Sequence, residues 1–181
     1  MATANPPVQK PEEVVGVCTP ESHAVVRAAT RAEVREKNLP YRSSFVLVVD
    51  SRGERVVVQK RVAWKETYPS HLDPCPGGVM GPDETFEGNA ARELAEEMGI
   101  KASEDALAPL FDFYFEDDAV RTWGRLLKCT WDGEIRDLSL QASEVESAEW
   151  VRVGDLRALL DGPVPTCPDS ALALRRCASR Q

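Results

Sequence analysis

Segments that favour strands and segments that favour helices alternate along this chain, and that alternation predicts a one-domain α/β sandwich, with helices packed on a sheet. Its 181 residues are enough to bury a substantial core without disulfides or a structural metal. A composition of 43% hydrophobic and 29% charged residues is that of an ordinary globular domain, which excludes a collagen-like or wholly disordered chain.

The elements follow in order. Residues 1–12 (MATANPPVQKPE) hold three prolines and little apolar pattern, and predict a mobile tail ahead of a single domain over 13–181. VVGVC (14–18) and HAVVRAA (23–29), split by Thr-Pro-Glu-Ser, predict a hairpin. Thr30 with Glu33 three residues on is the signature of a capping box, opening a short helix that Asn38 and Pro40 end. SFVLVVD (44–50) and RVVVQKR (55–61) are β-branched runs around the turn residues Ser-Arg-Gly-Glu. The stretch 64–78, with three prolines and two glycines, predicts a loop with at most a short strand. A helical period over 85–98 ends at Gly99. FDFYFED (111–117), TWGRLLKCTW (122–131) and AEWVRV (148–153) predict three more strands, and helices follow near 155–161 and 169–178.

Thirty acidic against 22 basic side chains give a net charge of −8, which argues against binding a nucleic-acid polymer. No apolar run reaches the roughly 18 residues of a membrane span, and the first dozen residues lack a secretory apolar core. Cys18, Cys75, Cys129, Cys167 and Cys177 are odd in number and scattered, and predict free thiols in a cytoplasmic protein.

The stretch that carries chemistry is residues 78–100. On a helix over 86–98, Ala90, Ala91, Leu94 and Met98 share one arc, while Glu93, Glu96 and Glu97 share another. Like charges at such spacing repel. In a partly desolvated site the repulsion is on the order of 4 kcal/mol at 4 Å with an effective dielectric near 20. Three glutamates alone read first as a solvated acidic face. As a ligand set they suit a hard divalent cation, Mg2+ with Mn2+ as substitute, shared with substrate phosphates.

The spacing is more specific than the charge. Residues 78–100 match Gly-x5-Glu-x7-Arg-Glu-U-x-Glu-Glu-x-Gly-U at Gly78, Glu84, Arg92, Glu93, Leu94, Glu96, Glu97, Gly99 and Ile100, where U is bulky and aliphatic. A chance match in such a chain is roughly one in ten million on average residue usage. In this segment the chain resembles the Nudix hydrolase family. The resemblance implies an α/β/α sandwich with a mixed central sheet, and cation-dependent hydrolysis of a phosphoanhydride in a nucleoside diphosphate derivative. It assigns Glu93, Glu96 and Glu97 to the cation, with Glu93 as general base, Glu96 and Arg92 as further members of the catalytic set, and Gly78 as the point where the loop approaches the substrate. Arg92 is also placed to brace the loop against the helix carboxylates. The family also makes a homodimer plausible.

More loosely, YRSSFVLVVD, VVVQKR and FYFEDDAVRTWG resemble the Nudix branch related to isopentenyl-diphosphate isomerase. That resemblance implies diphosphate-gripping roles for Arg61 and Lys65, and makes Glu116 a further metal ligand, with Asp118 a weaker candidate. It fails where the isomerase has its proton-transferring cysteine and two metal-binding histidines, because Gly77, Arg42 and Val79 stand there. Cys75, two residues from that place, reads as a buried small hydrophobe. Trp64 and Tyr68 are loop candidates for stacking on a flat ligand, Trp123 reads as core, and Glu144 or Glu146 are further acidic candidates. A pyrophosphohydrolase is therefore the leading reading, ahead of an isomerase-like protein and a nucleotide-binding module without catalysis.

Overall fold

A computed structural model describes residues 11–179. The tail expected at 1–12 lies outside the described residues except for Pro11 and Glu12, which form a turn. Strands β1 (Val14–Thr19) and β2 (Ser22–Thr30) make the expected antiparallel hairpin. The Thr30 hydroxyl caps α1 (Arg31–Glu36) by accepting from the Glu33 amide at 3.2 Å, while the Glu33 carboxylate turns to Arg27 and Lys37. Next come β3 (Tyr41–Val49), β4 (Arg55–Arg61), the two-residue β5 (Leu72–Asp73) and α2 (Phe86–Met98). They are followed by β6 (Ala108–Glu116), β7 (Arg121–Thr130), β8 (Val145–Arg152), α3 (Leu156–Leu160) and α4 (Pro168–Ala178).

One mixed sheet carries all eight strands. Its backbone path is β2-β1-β3-β4-β5, with β7 beside β3, β6 outside β7, and β8 along β4. Among the strands described, only β3 and β7 run parallel, in register from Tyr41 opposite Thr122 to Val49 opposite Thr130. Strand β3 begins three residues before its apolar run, because Ser43 and Ser44 are buried with their hydroxyls bonded to Thr122 and Asn89. Strand β6 likewise starts early and passes through Pro109, which a sheet tolerates in an edge strand with a register shift beside it.

Because successive strand residues point to opposite faces, β3 feeds two cores. Val46 and Val48 join Val57, Leu127 and Cys129 beneath Ala90, Leu94 and Met98 of α2. Phe45, Leu47 and Val49 join Val56, Phe113 and Leu126 beneath Ala173 and Leu174 of α4. The sheet is thus covered on both faces, and the α/β/α sandwich implied by the resemblance is the observed architecture. Among the described residues, no helix is long and apolar enough to cross a membrane.

Candidate active site

The loop before α2 is held by backbone bonding to β3. Ser44 N donates to Gly78 O at 3.0 Å, Val46 N to Pro76 O at 2.8 Å and Met80 N to Arg42 O at 2.9 Å. Contact is so close that a Cβ on Gly77 would lie 1.9 Å from the Ser44 carbonyl oxygen, and one on Gly78 would lie 2.1 Å from the Glu93 carboxyl carbon. Thr85 caps α2 by accepting from Gly88 N, and Gly99 ends it in the left-handed region at φ 73°. Both ends of α2 are therefore set by its flanking residues.

Arg92 ties loop and helix together. Its Nε donates to Glu84 Oε1 at 3.2 Å, and its Nη1 lies 2.9 Å from Glu93 Oε1 and 3.2 Å from Glu96 Oε2. Glu84 also accepts from Gly81 N at 2.7 Å and from Asn89 Nδ2 at 3.0 Å. Burial raises the Glu84 pKa, but those three donors outweigh it and hold the carboxyl below its ordinary range. Arg92 is thus a bracing residue in this geometry.

The three helix carboxylates are not equivalent. Glu96 is 53% exposed, Glu93 15% and Glu97 5%. An arc holding all three on the side away from the core, as the sequence predicts, is corrected for Glu97. It stands seven residues after Ala90 and three after Leu94, and so falls on the buried stripe. There it accepts from Gln59 Nε2 on β4 at 3.1 Å. Burial, then the Glu97 charge, pushes Glu93 up to about 7 despite Arg92. Burial raises Glu97 as well, opposed by Lys65, Gln59 and Arg61. Among the described residues no three His, Cys, Asp or Glu side chains converge as a ready-made metal site, since Arg92 draws Glu96 outward while Gln59 holds Glu97 inward. The donor set still fits a hard dication: the buried Glu97 and the mostly covered Glu93, one turn apart on α2, carry negative charge that their protein partners only partly offset.

These groups line a cavity of about 520 Å³, which also receives Gly78, Arg61 and Lys65. Lys65 is 7% exposed and ion-paired with Glu144, and burial together with the Arg61 cation pushes it down to about 8. Arg61 donates through Nε and Nη2 to Thr67 O and places Nη1 3.7 Å from Asp73 Oδ2, so it also holds the loop after β4. The cavity lining also includes Asp73 on β5, and Cys167, Asp169 and Ser170 at the start of α4. Asp73 accepts from Ser170 Oγ at 2.7 Å and from Cys75 N at 3.1 Å. Asp169 is pushed up to about 7 by burial and then by Asp73. Sequence reasoning did not single out Asp73, Asp169, Ser170 or Gln59. Gln59 had left a trace, being polar at an alternating position that should face the core, whereas Pro168-Asp169 reads only as a helix start.

The expectation for Glu116 is corrected. It sits 54% exposed at the end of β6, accepts from Tyr114 Oη at 2.8 Å and from Arg121 Nε at 3.3 Å, and does not line this cavity. Glu146 pairs with Lys60 at 2.8 Å, also away from the cavity. Trp64 lies 49% exposed with its indole N–H on Ser143 O, and Tyr68 lines the cavity with its hydroxyl on Asp117.

The sequence model of the NUDIX domain matches residues 40–167, well over half of the chain. This chain belongs to the Nudix hydrolase family. It is 37% identical over 145 residues to the uncharacterized Nudix hydrolase PA4841 of Pseudomonas aeruginosa, covering 80% of this chain and 82% of that one. It is 34% identical over 154 residues to the uncharacterized Nudix hydrolase YfcD of Escherichia coli K12, covering 85% and 81%. The crystal structure of DR0079 from Deinococcus radiodurans superposes with a TM-score of 0.73 at 21% identity, over 91% of this chain and 99% of that one, and shares the fold. Nudix hydrolases in general use divalent metals. Within the family, the isomerase-like branch is not supported at its key position. Gly77 has no room for any side chain, and Cys75 is buried in the α4-side core with its thiol pushed well above its ordinary range.

Proposed function

We propose that this Nudix hydrolase is a Mg2+-dependent pyrophosphohydrolase, with Mn2+ as substitute, acting on the diphosphate linkage of a small nucleoside diphosphate derivative in the cytoplasm. The observation that carries the reading is the Glu93–Glu97 pair. Two carboxylates are kept in a desolvated cavity wall at the cost of their mutual repulsion, and the cost is removed when a dication takes them. Glu93, Glu96 and Glu97 would hold that ion. When bound, it would neutralise diphosphate oxygens and make phosphorus more open to attack.

The chain's own residues account for the remaining chemistry. Glu93, held in the cavity wall by Arg92, takes the proton of the attacking water as general base. The water oxygen bonds to phosphorus as the bridging P–O bond breaks, leaving two phosphate products. Arg92 and Glu84 keep Glu93 from swinging away, and Gly78 leaves the space its carboxylate occupies. The Lys65 ammonium, buried beside the cavity, offers its charge to the diphosphate and offsets the field of a −8 protein. Arg61 shapes the loop that carries Lys65. The five cysteines, all free thiols, support a reducing compartment.

The test is release of phosphate or nucleotide from a panel of nucleoside diphosphate derivatives, with and without Mg2+ or Mn2+. Turnover is expected only with cation, and Glu97→Gln is expected to lower it at least about a hundredfold. Silence across the panel with tight ligand binding would favour a binding module without catalysis. Solvent deuterium entering isopentenyl diphosphate would favour the isomerase reading.

A further inference from the structure

Gln59 is a polar side chain in a place built for an apolar one. It lies in the interior of β4, with Cα partners Asp73 in β5 and Ala148 in β8. It faces the same way as Val57, which is core beneath α2. Only 1% of Gln59 is exposed. An amide there needs both of its ends satisfied, yet only one is. Nε2 donates to Glu97 Oε2 at 3.1 Å, while Oε1 is buried without any partner.

That asymmetry is informative. A glutamine retained for packing, or for pinning two strands together, would use its carbonyl as well as its amide N–H. Here the molecule carries a buried, unpaired carbonyl, and the one hydrogen bond it keeps goes to Glu97. The orientation is also the one an ionised carboxylate selects, because turning the amide over would set two acceptors face to face. Of the neighbours acting on Glu97, Lys65 stands on the loop after β4 and is ion-paired with Glu144. Arg61, on β4 like Gln59, acts on Glu97 only through its charge and turns its guanidinium to Thr67 O and Asp73, whereas Gln59 reaches Glu97 by a hydrogen bond from a strand paired on both edges.

We propose that Gln59 is a positioning residue for Glu97, fixing the orientation in which that carboxylate meets the divalent cation. The proposal rests on the reading of Glu97 as a cation ligand. It predicts that the cation, not the fold, is what Gln59 serves.

The experiment is Mn2+ binding to the substrate-free protein, followed by the loss of the free-ion paramagnetic resonance signal. Wild type, Glu97→Gln, Gln59→Met and Gln59→Leu are compared, with the metal-free melting temperature of each. The two Gln59 variants keep similar volume and remove both polar ends. They are expected to melt at or above wild type without metal, to bind Mn2+ about tenfold more weakly, and to need a correspondingly higher Mn2+ concentration for half-maximal hydrolysis. Unchanged Mn2+ affinity in either folded variant overturns the proposal. Loss of folding in both overturns it too, since the amide would then be serving the core. Should Glu97→Gln bind Mn2+ as wild type does, or wild type not bind it, the ligand reading of Glu97 falls and takes this proposal with it. If only the Gln59 variants match wild type, the proposal fails while that reading stands.

Discussion

Two walls of one cavity each present an acid with a pKa of about 7, Glu93 on α2 and Asp169 on α4. In both, burial is the main cause and a second carboxylate is the next, Glu97 for the first and Asp73 for the second. The surroundings separate them. Glu93 is gripped by an arginine that also binds Glu84 and Glu96, so loop and helix move as one frame. Asp169 accepts from the neighbouring Ser170 amide at 2.8 Å, and its partner Asp73 is already satisfied by Ser170, Cys75 and Arg61. A raised pKa thus marks burial on either wall, and bracing by a shared cation is what distinguishes the wall proposed to react.

The largest expected difference between the walls is in turnover. Glu93→Gln should lower kcat/KM by about 10²–10⁴-fold, the usual worth of a general base, whereas Asp169→Asn should cost less than about tenfold. Both are measured with Mg2+ on the best substrate of the panel. An equal loss in Asp169→Asn would place chemistry on both walls and break the contrast.

The glycines sharpen it next. Gly77→Ala drives a methyl into the Ser44 backbone carbonyl, which cannot yield, and should destabilise the protein by about 2–4 kcal/mol in urea unfolding. Gly78→Ala meets only the end of the Glu93 side chain. It should therefore fold with a smaller loss and show its effect in activity, as Glu93 is pushed from its place. Equal destabilisation by the two would mean that Glu93 cannot move, and that the brace is as rigid as backbone.

The smallest expected effect is on stability against pH. Glu93 and Asp169 have folded values near 7 against ordinary values of 4.5 and 3.8, so the native state binds more protons than the unfolded chain between about pH 4 and 7. Metal-free stability should fall as pH rises through that window and level off above it. Mn2+ should restore stability at pH 7.5, and should do so in Asp169→Asn but not in Glu93→Gln. Restoration in Glu93→Gln would detach the cation from the α2 wall.

Much of this was legible in one dimension. Thr30 and Gly99 mark the helix ends they were expected to mark, because capping is local chemistry between residues three or four apart. The box from Gly78 to Ile100 placed loop, brace and carboxylates, and Arg92 reaches Glu84, Glu93 and Glu96 within a single stretch of sequence. Glu116 could not be placed by resemblance of its strand, because its orientation is set by Tyr114 and Arg121, which hold its carboxylate at the exposed end of β6. Glu97 departs from the arc that its charge suggests, because its period puts it on the buried stripe with Ala90 and Leu94.

What the sequence by itself determined is whatever depends on near neighbours: the strand and helix segments, their caps, the glycine-spaced acidic box and the family to which it belongs. What only the tertiary structure decided is which carboxylates lose water and what they meet: Glu97 against Gln59 across 38 residues, Ser170 against Asp73 across 97, and Lys65 against Glu144 at the mouth of the loop. The physical reason is that desolvation and pairing are set by distance in space, and the fold brings together charges that no local pattern connects.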